Sequence, residues 1–500
     1  MSFFTSDKNT KKNTTDGFFF GKPEAEAEKT FEKRNNVSFY EDYFDVKGEI
    51  GNGKFIVSGR KGSGKSAIVK HIMENVKDHE LYAIIVNHGD YVINKSINAP
   101  DNTVISSEML WEWLTLVKFV KMILDSQVAQ YLQEIKSLKL FWKNNSGFLE
   151  IEKFDVKEII TSNSYELSIN PLKNILSAAI KSSFGVKEER APFYKLIPAL
   201  REIVSRVLQM REFKIIDFVV MYDDLDIDFN LNVQDDQQNL INLIRVAKSY
   251  NTSRFYGTGG KVLLFIRDDV SNALQSIGAD TGKLFGSYEC QIKWYNHEIG
   301  DDDNNNNPIK KFVNRRLSIN FDLLGIKYNH DNPWETFVED DYYGYSNKSS
   351  FKYLLDYTFY RPRDIINIFK DVGARKYQLP LSSDNVKSLI KNYLQINKIE
   401  VFNELSVQYD KQKLDSIETV LGYIAKYGPL NYEKVIELFG QNSLFETDLK
   451  VLINYSVVIP IDNNNIPKFS YREGVIEDEL SAYKYGLPLS ILSYYKSSLR

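Results

Sequence analysis

Short apolar runs alternate with amphipathic stretches through the first 300 residues. Four of these runs predict buried strands, the second of them apolar on both faces as in a parallel sheet, and a fifth run is a further candidate. They lie at residues 54–58, 81–86, 218–222, 262–266 and 288–294. Segments with helical spacing separate most of them, so the pattern predicts an α/β fold built on a parallel sheet.

Helical periodicity dominates two further regions. From about residue 100 to 212 the apolar positions recur at helical spacing, and they do so again after the polar run Asp301–Asn307. We therefore expect a core domain in residues 1–300 that carries a large helical insertion at about 100–212. A separate α-helical lid follows at 301–400.

The last hundred residues have a different rhythm. Three short helices precede two β-rich runs, which are joined by the turn residues Asp462–Asn465. This order is typical of a winged helix and predicts one at 401–500. Residues 411–500 contain 10 Lys and Arg against 11 Asp and Glu, and the third helix carries Glu446 and Asp448 against Lys450. Because phosphate contacts dominate nucleic-acid affinity, these charges favour protein contact over DNA.

Composition narrows the class of protein. The 500 residues have a formal net charge of −4, which gives no strong attraction to nucleic acid or an anionic membrane. Cys290 is the single cysteine, and the five histidines show no metal-ligand spacing. No run of 18 apolar residues occurs, so we expect a cytoplasmic protein without membrane contact.

One motif joins the first predicted strand to the helix that follows it. The run GRKGSGKS, Gly59–Ser66, satisfies GxxxxGK[ST], in which glycines let backbone N–H groups surround a β-phosphate at a helix N-terminus. Lys65 would contact the β- and γ-phosphates, and Ser66 would bind Mg²⁺. The predicted phosphate-binding residues are Gly59, Gly62, Ser63, Gly64, Lys65, Ser66 and Ala67.

Two acidic residues end the third predicted strand, in VVMYDD. Asp223 would hold Mg²⁺, directly or through water, and Asp224 would orient or deprotonate the attacking water. Asp226 and Asp228 follow, and acids of a helix N-terminal turn explain them as well. An acid directly after the metal-binding Asp is typical of P-loop ATPases whose five strands lie in the order 5-1-4-3-2.

Arginines supply the remaining candidates. Arg267 ends the fourth strand and is a candidate γ-phosphate sensor, although an ion pair with Asp268 or Asp269 explains it equally. Arg361 and Arg363 flank Pro362 at a helix start, and capping chemistry requires the proline but not two arginines. We expect Arg363 or Arg361 to contact the phosphates of ATP. Arg363 would have a catalytic role, and Arg361 would contribute to nucleotide binding.

These residues together resemble P-loop ATPases of the AAA+ and STAND type, nearest to the DDLD-bearing prokaryotic branch of origin-recognition and KAP-type ATPases. The opening DGFFFGKPEAEAE is similar to the FG…AE.E segment of a bacterial P-loop ATPase family. The resemblance implies base contacts from Phe19, Phe20 and Gly21, with burial against the sheet as the alternative. One departure is the 158-residue spacing from Lys65 to Asp223, about twice that of a compact core, which locates the insertion and suggests partner contacts there.

The resemblance also implies how the chain works. It implies ATP and Mg²⁺ as cofactors, assembly into a homo-oligomer and control of a separate effector protein, in a setting such as prokaryotic anti-phage defence. Arg315 or Arg316 would be an arginine finger acting on a neighbouring subunit, or part of a solvated helix face. The alternatives are a DNA-binding ATPase of the origin-recognition or loader type, and a nucleotide-binding scaffold without turnover.

Overall fold

A computed structural model describes most of the chain, and its contacts divide those residues into two units. The sheet unit comprises Asp42–Lys61 and Lys65–Ile292, and the helical unit comprises the described residues up to Glu41, Gly62–Gly64 and those from Lys293 onward. The described ranges are 13–75, 81–86, 97–98, 104–149, 166–168, 190–225, 233–295, 305–340, 349–406, 408–474 and 479–498.

A parallel sheet of five strands forms the centre of the sheet unit. The strands are β1 (Ile56–Gly59), β2 (Leu81–Val86), β3 (Asp217–Tyr222), β4 (Gly260–Arg267) and β5 (Glu289–Ile292). They lie in the order β2-β3-β4-β1-β5, which is β5-β1-β4-β3-β2 when read from the opposite edge. The register places Gly59, the last residue of β1, between Arg267 and Ile292. The carboxyl ends of β1 and β4 therefore meet at one edge of the sheet.

Helices make up most of the rest of the described sheet unit. They span Val46–Gly51, Lys65–Glu74, Ser107–Asp125, Gln133–Leu149, Phe193–Gln209, Gln234–Ser249, Asp268–Ile277 and Ala279–Tyr288. Two small strand pairs accompany them, Ile97–Asn98 with Val104–Ile105 and Glu166–Ser168 with Arg190–Pro192.

The helix Ser107–Asp125 lies inside the stretch predicted as an insertion, yet it packs on the sheet. The Ser106 side chain accepts a hydrogen bond from the backbone of Met109 and caps the helix. Trp111 contacts the ring of Tyr222 edge-on, and Thr115 shares a 2.7 Å hydrogen bond with the Tyr222 hydroxyl. This helix is therefore a core layer of the sheet unit, because its apolar side chains bury against β2 and β3.

The helical unit begins with two helical turns and continues after the sheet. Its helices span Ala25–Glu28, Lys29–Asn35, Pro308–Leu324, Pro333–Phe337, Ser350–Leu355, Pro362–Phe369, Val372–Arg375 and Ser383–Leu405. Local chemistry sets the bounds of Pro308–Leu324. The Asn307 side chain accepts from the backbone of Ile309, proline opens the first turn, and Gly325 ends the helix with φ of 64°.

The C-terminal part combines helices with a small antiparallel sheet. Its helices span Lys411–Tyr427, Tyr432–Gln441, Glu446–Asn454, Ser470–Glu473, Leu480–Ala482 and Leu489–Ser498, and its strands are β6 (Leu430–Asn431), β7 (Ile459–Ile461) and β8 (Lys484–Gly486). The strand order is β6-β8-β7. One hydrophobic core includes Phe359, Val401 and Leu405 together with the C-terminal helices, and the helix Ser383–Leu405 continues across residue 400.

The predicted hairpin around Asp462–Asn465 is wrong in its second strand. β7 pairs with β8, whereas residues after the turn meet it only in an isolated bridge between Ile461 and Pro467. Pro460 accepts a hydrogen bond from the backbone N–H of Lys468 but has no N–H group to return one, so the ladder does not continue there. Among the described residues, no helix combines the length and the apolar character that crossing a bilayer requires.

Candidate functional site

The loop between β1 and the helix Lys65–Glu74 depends on two glycines. Gly62 has φ of 80° and Gly64 has φ of 101°, a region that residues with a Cβ rarely adopt. A Cβ placed on Gly64 would meet no atom within 4 Å, so backbone conformation alone requires glycine there. β1, this loop and the helix form the strand–loop–helix unit of P-loop nucleotide-binding folds.

Lys65 reaches back along its own loop. Its Nζ donates to the carbonyl oxygen of Gly59 at 2.8 Å and to that of Arg60 at 3.4 Å. The cation therefore lies beside the start of the loop, and its contact with phosphates stays a prediction. Ser66 and Ala67 follow in the first helical turn, and both are partly exposed.

Asp223 lies directly after β3 and is buried. Burial raises the pKa of its carboxyl to about 6, and the charge of Asp224 adds to this shift. Three groups lower the pKa of this carboxyl: the backbone N–H of Asp224, the charge of Lys65, and the Ser66 hydroxyl, which hydrogen-bonds the carboxylate. The structure thus brings together Lys65, Ser66 and Asp223, which the sequence places 158 residues apart.

Asp224 has an unusual backbone. Its φ is 55°, in the left-handed region that Asp and Asn tolerate better than most residues. Its N–H donates to Oδ1 of Asp223 at 3.0 Å. This turn ends the strand. Asp226 and Asp228 lie outside the described residues.

The end of β4 carries a group of charges. Arg267 is buried and binds Asp269 with both ends of its guanidinium, Nε to Oδ1 at 3.0 Å and Nη2 to Oδ2 at 2.6 Å. Its sensor role remains a prediction, because these bonds satisfy the ion-pair alternative. Burial raises the pKa of Asp268, and the charge of Asp269 raises it further. The nearby cations lower it, and they are Arg60, Lys65 and Arg267. Asp268 thus carries its charge near Arg60 and Lys65 as well as Arg267, the one residue with which the sequence paired it.

The tip of the loop, Gly62–Gly64, groups with the helical unit. The Trp294 indole Nε1 donates to the carbonyl oxygen of Ser63 at 2.8 Å, and the backbone N–H of Arg363 donates to that of Gly62 at 3.5 Å. Ser63 Oγ and Arg363 Nε are buried without a hydrogen-bond partner. Such orphaned polar atoms beside a glycine loop fit an oxygen-rich ligand such as a phosphate. No local sequence pattern points to Trp294.

The structure separates the two arginines that flank Pro362. Arg361 is buried in a network with Asp364 at 2.8 Å and Glu404 at 2.9 Å. These two carboxylates hold its guanidinium within the helical unit, so its predicted nucleotide contact has no support in its described contacts. Arg363 is the one of the pair that lies against Gly62.

Arg315 and Arg316 have different environments. Arg316 is buried, binds both carboxylate oxygens of Glu28 at 2.8 and 3.1 Å, and stacks on Phe39 and Phe312. The solvated-face alternative is therefore wrong for Arg316, whereas its finger role stays a prediction that the ion pair with Glu28 disfavours. Arg315 donates to the carbonyl oxygen of Ser38 at 2.7 Å from a more exposed position.

The opening aromatic segment packs within the helical unit. The ring of Phe20 is fully buried and contacts Phe337 and Phe369, while Phe19 stacks on Phe31 with centroids 4.2 Å apart. The backbone N–H of Phe19 donates to Asn320 Oδ1 at 2.7 Å. Burial of Phe20 therefore occurs against helices of the same unit, whereas the sequence analysis expected the sheet or a nucleotide base.

Gly21 makes room for the ion pair that holds this segment. Its φ is 133°, and a Cβ there would lie 2.3 Å from both Arg316 Nη1 and Glu28 Oε1. The glycine of the FFFG sequence thus serves the packing of Arg316. Among the described residues, no group of three or more His, Cys, Asp or Glu side chains forms a metal cluster.

Comparison with known proteins gives one partial match to a family. Residues 307–393 match the model described as the FunZ-associated C-terminal helical domain, a range from the helix Pro308–Leu324 into Ser383–Leu405. No curated protein matches the chain. Among solved structures, the chain is similar to the Walker-type ATPase PABY2304 of Pyrococcus abyssi at 12% identity. The alignment covers 92% of this chain and 95% of that chain, with a TM-score of 0.39.

Proposed function

We propose that this chain binds and hydrolyses ATP with Mg²⁺ and acts as a nucleotide-dependent switch that controls a partner protein. The observation that carries the proposal is the contact of Ser66 with the buried carboxylate of Asp223, beside Lys65. A hydroxyl and a carboxylate are the hard oxygen ligands that Mg²⁺ takes in phosphate sites.

Each residue has a role in this proposal. Backbone N–H groups of the loop and Lys65 hold the phosphates, and Ser66 and Asp223 would hold the metal. Mg²⁺, when bound, would neutralise charge on the β- and γ-phosphate oxygens. Asp224 accepts a hydrogen bond from the attacking water and orients it toward the phosphorus. Arg363, at Gly62, supports the negative charge that develops on the transferred phosphoryl group.

Two substitutions test the enzyme. Lys65→Ala should weaken ATP binding itself, because it removes the cation that contacts the phosphates. Asp224→Asn should retain ATP binding and lose most hydrolysis. Asn is a conservative choice there because it tolerates the φ of 55°. Nucleotide binding by equilibrium dialysis and phosphate release at saturating ATP distinguish the two effects.

The same assays identify the competing outcomes. Equal, background phosphate release by the wild type and both variants would establish a nucleotide-binding scaffold without turnover. Wild-type ATP affinity in both variants would mean that the assigned site is wrong. Arg206→Ala is a matched control, because it removes an exposed cation whose partner, Glu202, lies on the same helix and outside the assigned site.

The switch part of the proposal concerns the C-terminal part. Helices Lys411–Tyr427, Tyr432–Gln441 and Glu446–Asn454 with strands β6–β8 have the succession of elements of a winged helix. Glu446 pairs with Lys450 and accepts from the Tyr432 hydroxyl, and the buried carboxylate of Asp448 binds Lys413. A third helix with these acidic residues is poorly suited to DNA phosphates, which favours a protein partner.

A DNA-binding ATPase is the alternative function. The order of helices and strands favours it, and the charges oppose it. Titration of labelled duplex at about 50 mM salt, with and without ATP, decides between them, because phosphate-driven binding is strongest at low salt. Absence of affinity would eliminate the DNA function, whereas binding that weakens steeply with salt would replace the protein-partner proposal.

The partner itself would be a separate effector protein, and assembly into a homo-oligomer belongs to the same proposal. Resemblance to AAA+ and STAND ATPases and the match of residues 307–393 to a FunZ-associated domain support this role. The anti-phage setting rests on the resemblance. Affinity purification of Asp224→Asn with ATP should enrich a protein that Lys65→Ala does not retain, and equal recovery by both would contradict nucleotide control.

A further inference from the structure

Trp294 holds one peptide group of the glycine loop. Its indole Nε1 donates to the carbonyl oxygen of Ser63 at 2.8 Å, and this hydrogen bond is buried. The indole is 7% exposed and packs edge-on against Phe312, with centroids 5.7 Å apart and an interplanar angle of 74°. The donor therefore has a fixed position within the helical unit.

The direction of that carbonyl determines the direction of the next amide. In a trans peptide the C=O of Ser63 and the N–H of Gly64 point to opposite sides. Because the indole holds the carbonyl oxygen, the Gly64 N–H points away from Trp294. A Cβ on Gly64 would meet no atom within 4 Å, so there is open space beside this residue. Open space beside an oriented amide is the arrangement that a loop of this kind offers to a phosphate.

The loop needs an external restraint of this kind. Gly62 and Gly64 flank Ser63, and glycine moves between positive and negative φ at little cost. Without a restraint, the Ser63–Gly64 peptide would therefore rotate readily. Rotation would leave the buried indole N–H without its acceptor at Ser63, and an unpaired buried donor is unfavourable. The indole thus favours one orientation before any ligand binds.

We infer that Trp294 is a positioning residue of this loop, which pre-orients the Gly64 N–H for the β-phosphate of a nucleoside di- or triphosphate. This inference rests on the proposed function and adds a residue from outside the motif. Because ATP and ADP both contain a β-phosphate, Trp294 affects the binding of both. It contributes little to the chemical step, in contrast to Arg363, whose effect requires the γ-phosphate.

The test replaces Trp294 by Phe, which keeps an aromatic ring against Phe312 and removes the donor. Trp334→Phe is the matched control, because Trp334 is also buried in the helical unit and its Nε1 donates to Ser350 Oγ at 2.8 Å. Both variants lose one buried indole hydrogen bond, so they should lose similar thermal stability without nucleotide. Trp294→Phe alone should raise the Kd of ATP and ADP about tenfold, equivalent to about 1.4 kcal/mol.

Steady-state kinetics supply a readout that would not change if the role of Trp294 were only structural. Trp294→Phe should raise KM for ATP with kcat within about twofold of the wild type, the pattern of lost ground-state binding. Nucleotide affinities equal to those of Trp334→Phe, with an active wild type, would overturn the role of Trp294. A wild type that binds neither nucleotide would instead overturn the proposed function, and the role of Trp294 with it.

A second measurement tests the inference on the wild-type chain if Trp294→Phe does not fold. The five tryptophans of the wild-type chain, labelled as 5-fluorotryptophan, give five ¹⁹F signals, and Phe substitution of the other four identifies Trp294 by elimination. ADP should shift the Trp294 signal and leave that of Trp334 in place. A Trp294 signal that ADP does not change would overturn the inference.

Discussion

Arg363 lies directly against Gly62. Its backbone N–H donates to the Gly62 carbonyl oxygen at 3.5 Å, and a Cβ on Gly62 would lie 3.0 Å from Cβ of Arg363. The Nε of Arg363 is buried and has no hydrogen-bond partner. A guanidinium with an unused donor beside a glycine that is proposed to bind phosphate is suited to charge that appears during phosphoryl transfer.

Replacing Arg363 by Ala should therefore impair hydrolysis more than binding. We expect kcat to fall by about 10²-fold or more, the usual loss for one donor to a developing charge. ADP affinity should change less than threefold, because ADP lacks the γ-phosphate. Phosphate release and ADP titration measure the two effects.

Two further variants make the result specific. Arg363→Lys should recover part of the activity, since it keeps the charge without the forked donors. Arg361→Met should reduce stability instead, because it leaves Asp364 and Glu404 without their buried cation. An Arg363→Ala enzyme with wild-type kcat would refute the assignment.

The buried pair Arg316–Glu28 should behave as a structural contact of the helical unit. Each side chain is 6% exposed. Glu28→Gln leaves the Arg316 charge buried and unpaired, which typically costs about 3–5 kcal/mol. The double variant Glu28→Gln with Arg316→Met should be more stable than the sum of the single effects implies, as measured by urea unfolding in a double-mutant cycle.

The same pair tests the arginine-finger expectation. Mixing Arg316→Met with Lys65→Ala should restore no ATPase activity beyond that of Arg316→Met alone, because Arg316 acts within its own chain. Recovery of wild-type activity in the mixture would show that Arg316 acts on a neighbouring subunit.

Asp223 should make stability depend on pH in the metal-free protein. Burial and the Asp224 charge raise the pKa of its carboxyl to about 6, so the folded state binds the proton more tightly than the unfolded state. The contribution of this carboxyl to the free energy of unfolding is therefore complete below about pH 4, and it is lost as the pH rises through 6. Asp223→Asn should be more stable than the wild type at pH 7.5 by up to about 3 kcal/mol, since a shift of one pKa unit corresponds to 1.36 kcal/mol.

Urea unfolding with EDTA at pH 7.5 and pH 5 measures this difference. The advantage of Asp223→Asn should shrink at pH 5, where the wild-type carboxyl is mostly protonated. Asp224→Asn is the matched control, because it removes the repulsion between the carboxylates and leaves Asp223 buried. An Asp223→Asn variant less stable than the wild type at pH 7.5 would contradict the prediction.

Features determined by neighbouring residues could be predicted from the sequence. The apolar runs predict the parallel strands, and the glycines of Gly59–Ser66 predict a loop between strand and helix, because positive φ and β propensity are local properties. The position of Asp223 at the end of a strand could also be predicted, because it depends on where one apolar run ends.

Features determined by distant residues could not be predicted. Arg361 and Arg363 are equivalent by local chemistry, and Glu404, 43 residues away, binds Arg361. Trp294 is 231 residues from Ser63, and Phe20 packs on rings more than 300 residues away. The helix Ser107–Asp125 looked like part of an insertion because chain spacing does not show that Trp111 and Thr115 contact Tyr222.

Arg472 should couple the C-terminal part to the segment that carries Arg363. Its guanidinium lies 4.8 Å from the ring centroid of Tyr295 and 5.0 Å from that of Tyr360, and Tyr360 stacks on Tyr471. Tyr360 is buried, has φ of 55° and precedes Arg361–Arg363 in the chain. Because this aromatic cluster fixes the backbone at Tyr360, it also restrains the approach of Arg363 to Gly62.

Arg472→Ala should therefore reduce ATP hydrolysis several-fold while ADP affinity stays near that of the wild type. It should also lower stability by about 1–2 kcal/mol, the range of a desolvated cation–π contact. Lys468→Ala is the matched control, because Lys468 makes a cation–π contact with Tyr483 at 4.9 Å in the same C-terminal part. That variant should lose similar stability and keep its kcat, since Tyr483 is not part of the Tyr360 cluster. Equal kcat values for the two variants would show that Arg472 only stabilises the fold.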